Sequence, residues 1–137
     1  MKPKHTKKKF PVPMPKSPHP TDWLYLNQTP VTVQNLRDHF QTMPQLDVEC
    51  WPELQVLELT FPNKHYIDFE AAPLDLGDEE SNQLLAAHQA KTVFYVSAEP
   101  ICTEESLSCL RSVLPALGGC FVADNDAFQP LLTSSDA

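Results

Sequence analysis

Apolar and polar residues alternate along this chain with two different periods, and the switches between them mark out its elements. Leu46, Val48 and Cys50 alternate with Asp47, Glu49 and Trp51, the period of two expected of a strand with one buried face and one wet face. Pro52 ends that strand, and Leu57, Leu59 and Phe61 then alternate with Glu58 and Thr60. After Pro62-Asn63-Lys64, Ile67 and Phe69 alternate with Tyr66, Asp68 and Glu70, which predicts a hairpin over these two segments. Trp23-Leu24-Tyr25-Leu26 reads as an earlier strand, and Thr92-Val93-Phe94-Tyr95-Val96 as a central strand covered on both faces. Cys120-Phe121-Val122-Ala123 reads as a last short one, followed by a turn at Asp124-Asn125-Asp126.

Between these segments the period lengthens. Val33, Leu36, Phe40 and Met43 recur at steps of three and four behind Thr32, an N-cap residue, and Pro44 closes the pattern. Asp78-Glu79-Glu80-Ser81 opens a second helix with carboxylates where the dipole favours them, turning Leu84, Leu85 and His88 inward. Thr103, Glu104 and Glu105 open a third carrying Leu107, Leu110, Leu114 and Leu117, with Pro115 thinning its last turn and Gly118-Gly119 at its stop. The order predicts an α+β fold, a mostly antiparallel sheet with helices packed mainly on one face. It forms a single domain over residues 21–132, with an extended N-terminal arm, residues 1–20, and a short tail, 133–137. About 110 residues bury roughly 60–70% of their unfolded surface, so folding calls for no metal or disulfide.

Charge divides the chain in the same place. The arm holds six lysines (2, 4, 7, 8, 9 and 16), no acid and six of the 14 prolines, which excludes a helix or a central strand there. Residues 21–137 keep four bases against all 18 acids, a net charge of −14. That argues against a body built to hold a phosphate backbone, leaving nucleic acid to the arm alone, which could equally lie against the acidic body of its own chain. No apolar run reaches the roughly 18 residues of a membrane span, and none resembles a signal peptide, so a cytoplasmic protein with no membrane partner is expected.

Candidate chemistry is sparse. Cys50, Cys102, Cys109 and Cys120 include no Cys-x-x-Cys pair and no zinc spacing with histidine; they read as reduced, buried thiols, with Cys102 and Cys109 able to share a helix face. No Gly-x-Ser-x-Gly is present, and His39, His65 and His88 fall on different elements. Asp68 with Glu70, or Asp124 with Asp126, could hold a hard cation, the one route to a metal-dependent hydrolase, but no lysine stands beside them. The expectation is no catalytic residue, no metal and no cofactor.

One constellation remains. If Leu46, Val48, Leu57, Leu59, Ile67 and Phe69 point into the core, Asp47, Glu49, Glu58, Asp68 and Glu70 point to the opposite face, together with Trp51 and Tyr66. Like charges facing each other across strands cost about 0.2–1 kcal/mol per pair. A field of one sign speeds encounter with a basic partner, and aromatic rings among carboxylates suit Arg and Lys side chains.

In its size, in the charge of residues 21–137, and in the stretch Leu117-Gly118-Gly119-Cys120-Phe121-Val122-Ala123-Asp124 followed by Asp126-Ala127-Phe128-Gln129-Pro130, the chain resembles the small acidic immunity proteins of bacterial polymorphic and contact-dependent inhibition toxin systems. The basic proline-rich arm departs from that pattern. The resemblance implies a non-enzymatic inhibitor that occludes a basic toxin cleft, with Asp47, Glu49, Trp51, Glu58, Tyr66, Asp68 and Glu70 as the binding residues. The competing expectation is a regulatory adaptor whose arm contacts RNA or another acidic surface. An exposed strand edge would also allow a homodimer.

Overall fold

The computed structural model describes residues 17–134; the arm's residues 1–16 and the tail's 135–137 lie outside the described residues. Seven antiparallel strands form one sheet: β1 (Asp22–Asn27), β2 (Asp47–Trp51), β3 (Val56–Thr60), β4 (Tyr66–Ala71), β5 (Thr92–Glu99), β6 (Cys120–Ala123) and β7 (Leu131–Leu132). Their spatial order is β2-β3-β4-β5-β1-β6-β7, so β5 is central, as its unbroken run of apolar residues predicts. The helices are α1 (Val33–Phe40), α2 (Glu79–Ala87), α3 (Glu104–Arg111) and α4 (Val113–Leu117). The expected α+β fold, with a mostly antiparallel sheet, is the fold observed.

The helices begin where their caps dictate. Thr32 and Thr103 each accept the backbone N–H three residues on, and Asn35 and Ser106 reciprocate, closing two capping boxes. Asp78 caps α2 through the Ser81 N–H. One sheet face carries Trp23, Tyr25, Leu57, Leu59, Ile67, Phe69, Phe94 and Phe121 and is covered by α1, α3 and α4 through Leu36, Phe40, Leu107, Leu110 and Val113. Tyr25, Phe121, Phe69, Phe94 and Phe40 form a chain of ring contacts with centroids 4.9–6.5 Å apart. Each such pair contributes about 0.5–1.5 kcal/mol beyond its buried area. The opposite face is divided. At one end Leu24, Leu26, Val93, Cys120 and Val122 pack under Leu85 of α2 with Leu76, Leu84 and Phe128; at the other end lie the carboxylates.

Several elements differ in detail from the sequence pattern. Helix α1 stops at Phe40, where the chain turns before Pro44 is reached. The third predicted helix is broken at Ser112 into α3 and α4, because Pro115 has no N–H to donate to the Arg111 carbonyl and its ring crowds it; the Ser112 hydroxyl donates to the Cys109 carbonyl (2.6 Å) at the break. Cys102 precedes α3, so it does not share a helix face with Cys109. Strand β5 runs on to Glu99, and β7 adds a strand to β6. The root of the arm is seated on the body. His19 bridges to Cys102, the Cys102 N–H donates to Ser17 Oγ (2.9 Å), and Trp23 Nε1 donates to the Pro20 carbonyl (2.8 Å).

Candidate acidic binding face

Strand register fixes where the predicted acids stand. Glu49 lies opposite Glu58, Glu58 opposite Asp68, Asp68 opposite Ser97, and Ser97 opposite Asp22. Asp124 extends the row, its N–H donating to the Asp22 carbonyl (2.9 Å). Two residues along each strand, a parallel row runs Asp47, Thr60, Tyr66, Glu99. Two residues the other way, Trp51, Val56, Glu70 and Tyr95 lead into the apolar end under α2. Because side chains alternate, all seven predicted binding residues occupy one face, opposite Val48, Leu57, Leu59, Ile67 and Phe69.

Burial grades across these rows. Asp47 and Glu49 on β2 are exposed, Trp51, Glu58, Tyr66 and Glu70 are half-buried, and Asp68 is only 4% exposed. The alternation thus carries a carboxylate into the middle of the sheet, where an anion is tolerated only beside cations or donors. Three further acids share the face: Asp22, Glu99 and Asp124. The Ser97 hydroxyl lies between two of them, 2.7 Å from a Glu99 oxygen and 3.3 Å from an Asp22 oxygen, so its single proton serves one at a time. Burial pushes the Tyr95 phenol up, and the charges of Asp124, Glu70 and Asp78 push it further. Sequence reasoning missed these acids because Asp22 and Asp124 bound short strands and Glu99 lies past the expected end of β5. Strands one residue longer at Asp22 and at Asp124, and three residues longer at Glu99, would have placed all three on the face.

The histidines and cysteines come together in ways that the sequence did not show. Cys120 Sγ lies 3.7 Å from His88 Nδ1 at a cleft of about 420 Å³ that also includes Asn27, Gly119 and Thr133. Burial pushes the Cys120 thiol up, away from the thiolate that a nucleophile needs. Asn27 is fully committed: its amide donates to Tyr25 Oη (2.8 Å) and the Leu117 carbonyl (3.0 Å), and its oxygen accepts from Thr29 N (2.9 Å) and Oγ1 (2.8 Å). His39 Nε2 lies 2.9 Å from Ser112 Oγ, but the hydroxyl proton is already directed at the Cys109 carbonyl. The imidazole is therefore the donor, and burial lowers its pKa; this is a packing contact rather than an activated serine. Among the described residues, no group of three or more His, Cys, Asp or Glu side chains is arranged to hold a metal ion, the Asp68/Glu70 and Asp124/Asp126 pairs included. Nor is any described helix long and apolar enough to cross a membrane.

Comparison with known proteins adds no relative: no family model, no curated protein and no solved structure matches the chain.

Proposed function

We propose that this protein is a non-enzymatic, acidic protein-binding module, most concretely a toxin-neutralising immunity protein, that receives a basic partner on the face formed by β2, β3, β4 and β5. One observation carries the reading: the carboxylates of Asp47, Glu49, Glu58, Asp68 and Glu70 are held on one side of three adjacent strands. A rigid sheet sets their spacing in advance, so charge-assisted hydrogen bonds to Lys or Arg form without reordering the backbone. Trp51 and Tyr66 stand at opposite ends of the patch and supply ring surface for the stems and heads of those side chains. If the partner is a nuclease, the rows take the place of the phosphates in its cleft.

The test is affinity capture of the partner from the native host, followed by association kinetics. The native protein should associate quickly at low salt and slow at least tenfold as ionic strength rises towards 0.5 M. The variant Asp47→Asn, Glu49→Gln, Glu58→Gln, Asp68→Asn, Glu70→Gln should associate slowly at every salt concentration. Equal rates for the two proteins would overturn the proposal.

A further inference from the structure

We propose that the outer edge of β2 is a strand-pairing site whose occupant is an extended segment of the basic partner, with Lys or Arg at alternate positions and apolar residues between them. The inference rests on the reading above and deepens it, since it says how the partner engages the sheet: by adding a strand beside β2. Three observations converge on it.

The first is the backbone. Strand β2 pairs with β3 residue for residue from Asp47 to Trp51, with no bulge and no proline inside it, and among the described residues nothing pairs with its other side. Alternate residues of an antiparallel strand point both their N–H and their C=O to the same neighbour, so two or three of these five residues direct both groups outward. An extended peptide supplies the matching acceptors and donors from its main chain.

The second is the core, which thins out at β2 before its rows are closed. Ala98, Ile67 and Leu59 are wholly buried, and Val48, next in that row, is half-buried. Phe69 and Leu57 are wholly buried, and Cys50, next in theirs, is half-buried. Met43 and Leu46 stand half-buried against the same cluster. Apolar residues of an added strand would lie beside Val48 and Cys50 at Cβ separations of about 4.5–5.5 Å. They would continue both rows and take this surface out of water.

The third is charge. Strand edges are commonly kept from pairing by lysine, proline or a bulge, whereas this one carries Asp47 and Glu49, both exposed on the outer face. Opposite charges directly across strands attract and like charges repel, so the edge rejects an acidic strand and admits a basic one. Trp51, half-buried at the end of the same outer row, offers its ring to the stem and head of a further Lys or Arg. The occupant's period of two thus follows from an edge that is acidic on one side and apolar on the other.

The test uses the full chain and a blocked seven-residue peptide alternating lysine and valine, with a block-ordered peptide of the same composition as control. The alternating peptide should bind about tenfold more tightly than the control, and about tenfold more weakly to Asp47→Asn/Glu49→Gln than to the native chain. It should slow hydrogen exchange at the outward amides of β2 by about tenfold. Two further peptides carry N-methyl groups on every lysine or on every valine. Because these amides point to opposite edges of the added strand, one methylated peptide should lose its binding and the other keep it. No binding, equal affinity of the alternating and block-ordered peptides, equal affinity of the two methylated peptides, unchanged exchange at β2, or a peptide-free dimer already protected there would each overturn the proposal. Failure here is separable from failure of the partner reading. If the five-carboxylate variant loses its partner while the two methylated peptides behave alike, only strand addition falls. If the methylated peptides differ as expected and that variant keeps its partner, only the partner reading falls.

Discussion

Replacing Gly119 with alanine should cost far more than one added methyl suggests. Gly119 lies between α4 and β6 at φ +86, where a side chain costs about 1–2 kcal/mol. Its Cβ would stand 2.4 Å from the Leu26 carbonyl oxygen and 3.0 Å from both the ring and the hydroxyl of Tyr25. Neither neighbour can yield cheaply. Leu26 is paired with Val93 on one side and Cys120 on the other. Tyr25 is wholly buried, and its hydroxyl is held by the Gly118 carbonyl at 2.6 Å and the Asn27 amide at 2.8 Å. Relief requires either the loss of a backbone hydrogen bond, about 0.5–1.5 kcal/mol net, or an overpacked corner, about 1–3 kcal/mol. The total comes to about 1.5–5 kcal/mol, a large share of a domain's usual stability. Gly77 supplies the comparison: at φ +92 with nothing within 4 Å of its would-be Cβ, Gly77→Ala meets only the backbone cost. Urea unfolding followed by tryptophan fluorescence should place Gly119→Ala about 0.5–3 kcal/mol below Gly77→Ala. Thermal midpoints should separate by roughly 3–6 °C for each kcal/mol. Equal midpoints for the two variants would refute the claim that the β1–β6 corner is rigid.

Two further outcomes follow from burial. It pushes the Tyr25 phenol up to about 12, the Cys102 thiol to about 11 and the Cys109 thiol to about 12. An unfolded chain releases these protons near 9 to 10, so the unfolded state binds fewer protons above that range. Their stabilising effect is intact below pH 9 and is lost on the way to pH 12; the urea midpoint should fall between pH 8 and pH 11, and an unchanged midpoint would contradict the burial. Cys50 is half-buried while Cys102, Cys109 and Cys120 are buried. A disulfide reagent at pH 8 should therefore react quickly with one thiol in the native protein and with all four in urea, and rapid native reaction of two or more would show a looser core.

Where one side of an element is wet and the other dry, the sequence carries the answer. Asp47 to Trp51, Leu57 to Phe61 and Tyr66 to Glu70 alternate strictly because one sheet face is open to charge, and this alone located the seven residues of the candidate site. Caps are local in the same way, so Thr32, Asp78 and Thr103 marked their helices correctly. What could not be read depends on distant pairing. The two residues Leu131–Leu132 have no period of their own and become a strand only because β6 offers an edge. The insertion of β1 between β5 and β6 is likewise a tertiary fact, and it is what aligns Asp22 with the acids of β2 to β4. His88 and Cys120 meet because α2 packs against β1, β5 and β6, a contact across 32 residues that no motif announces.

Among the described residues, β2 is the rim of the sheet, and its outward backbone is flanked by Asp47 and Glu49. A second copy arriving antiparallel, strand against strand, would set these two anions near their own counterparts, and like charges facing each other across strands repel. The other rim, two residues of β7, is too brief to template a fibril. Asp47 and Glu49 thus disfavour the pairing of this edge with its own copy in another molecule.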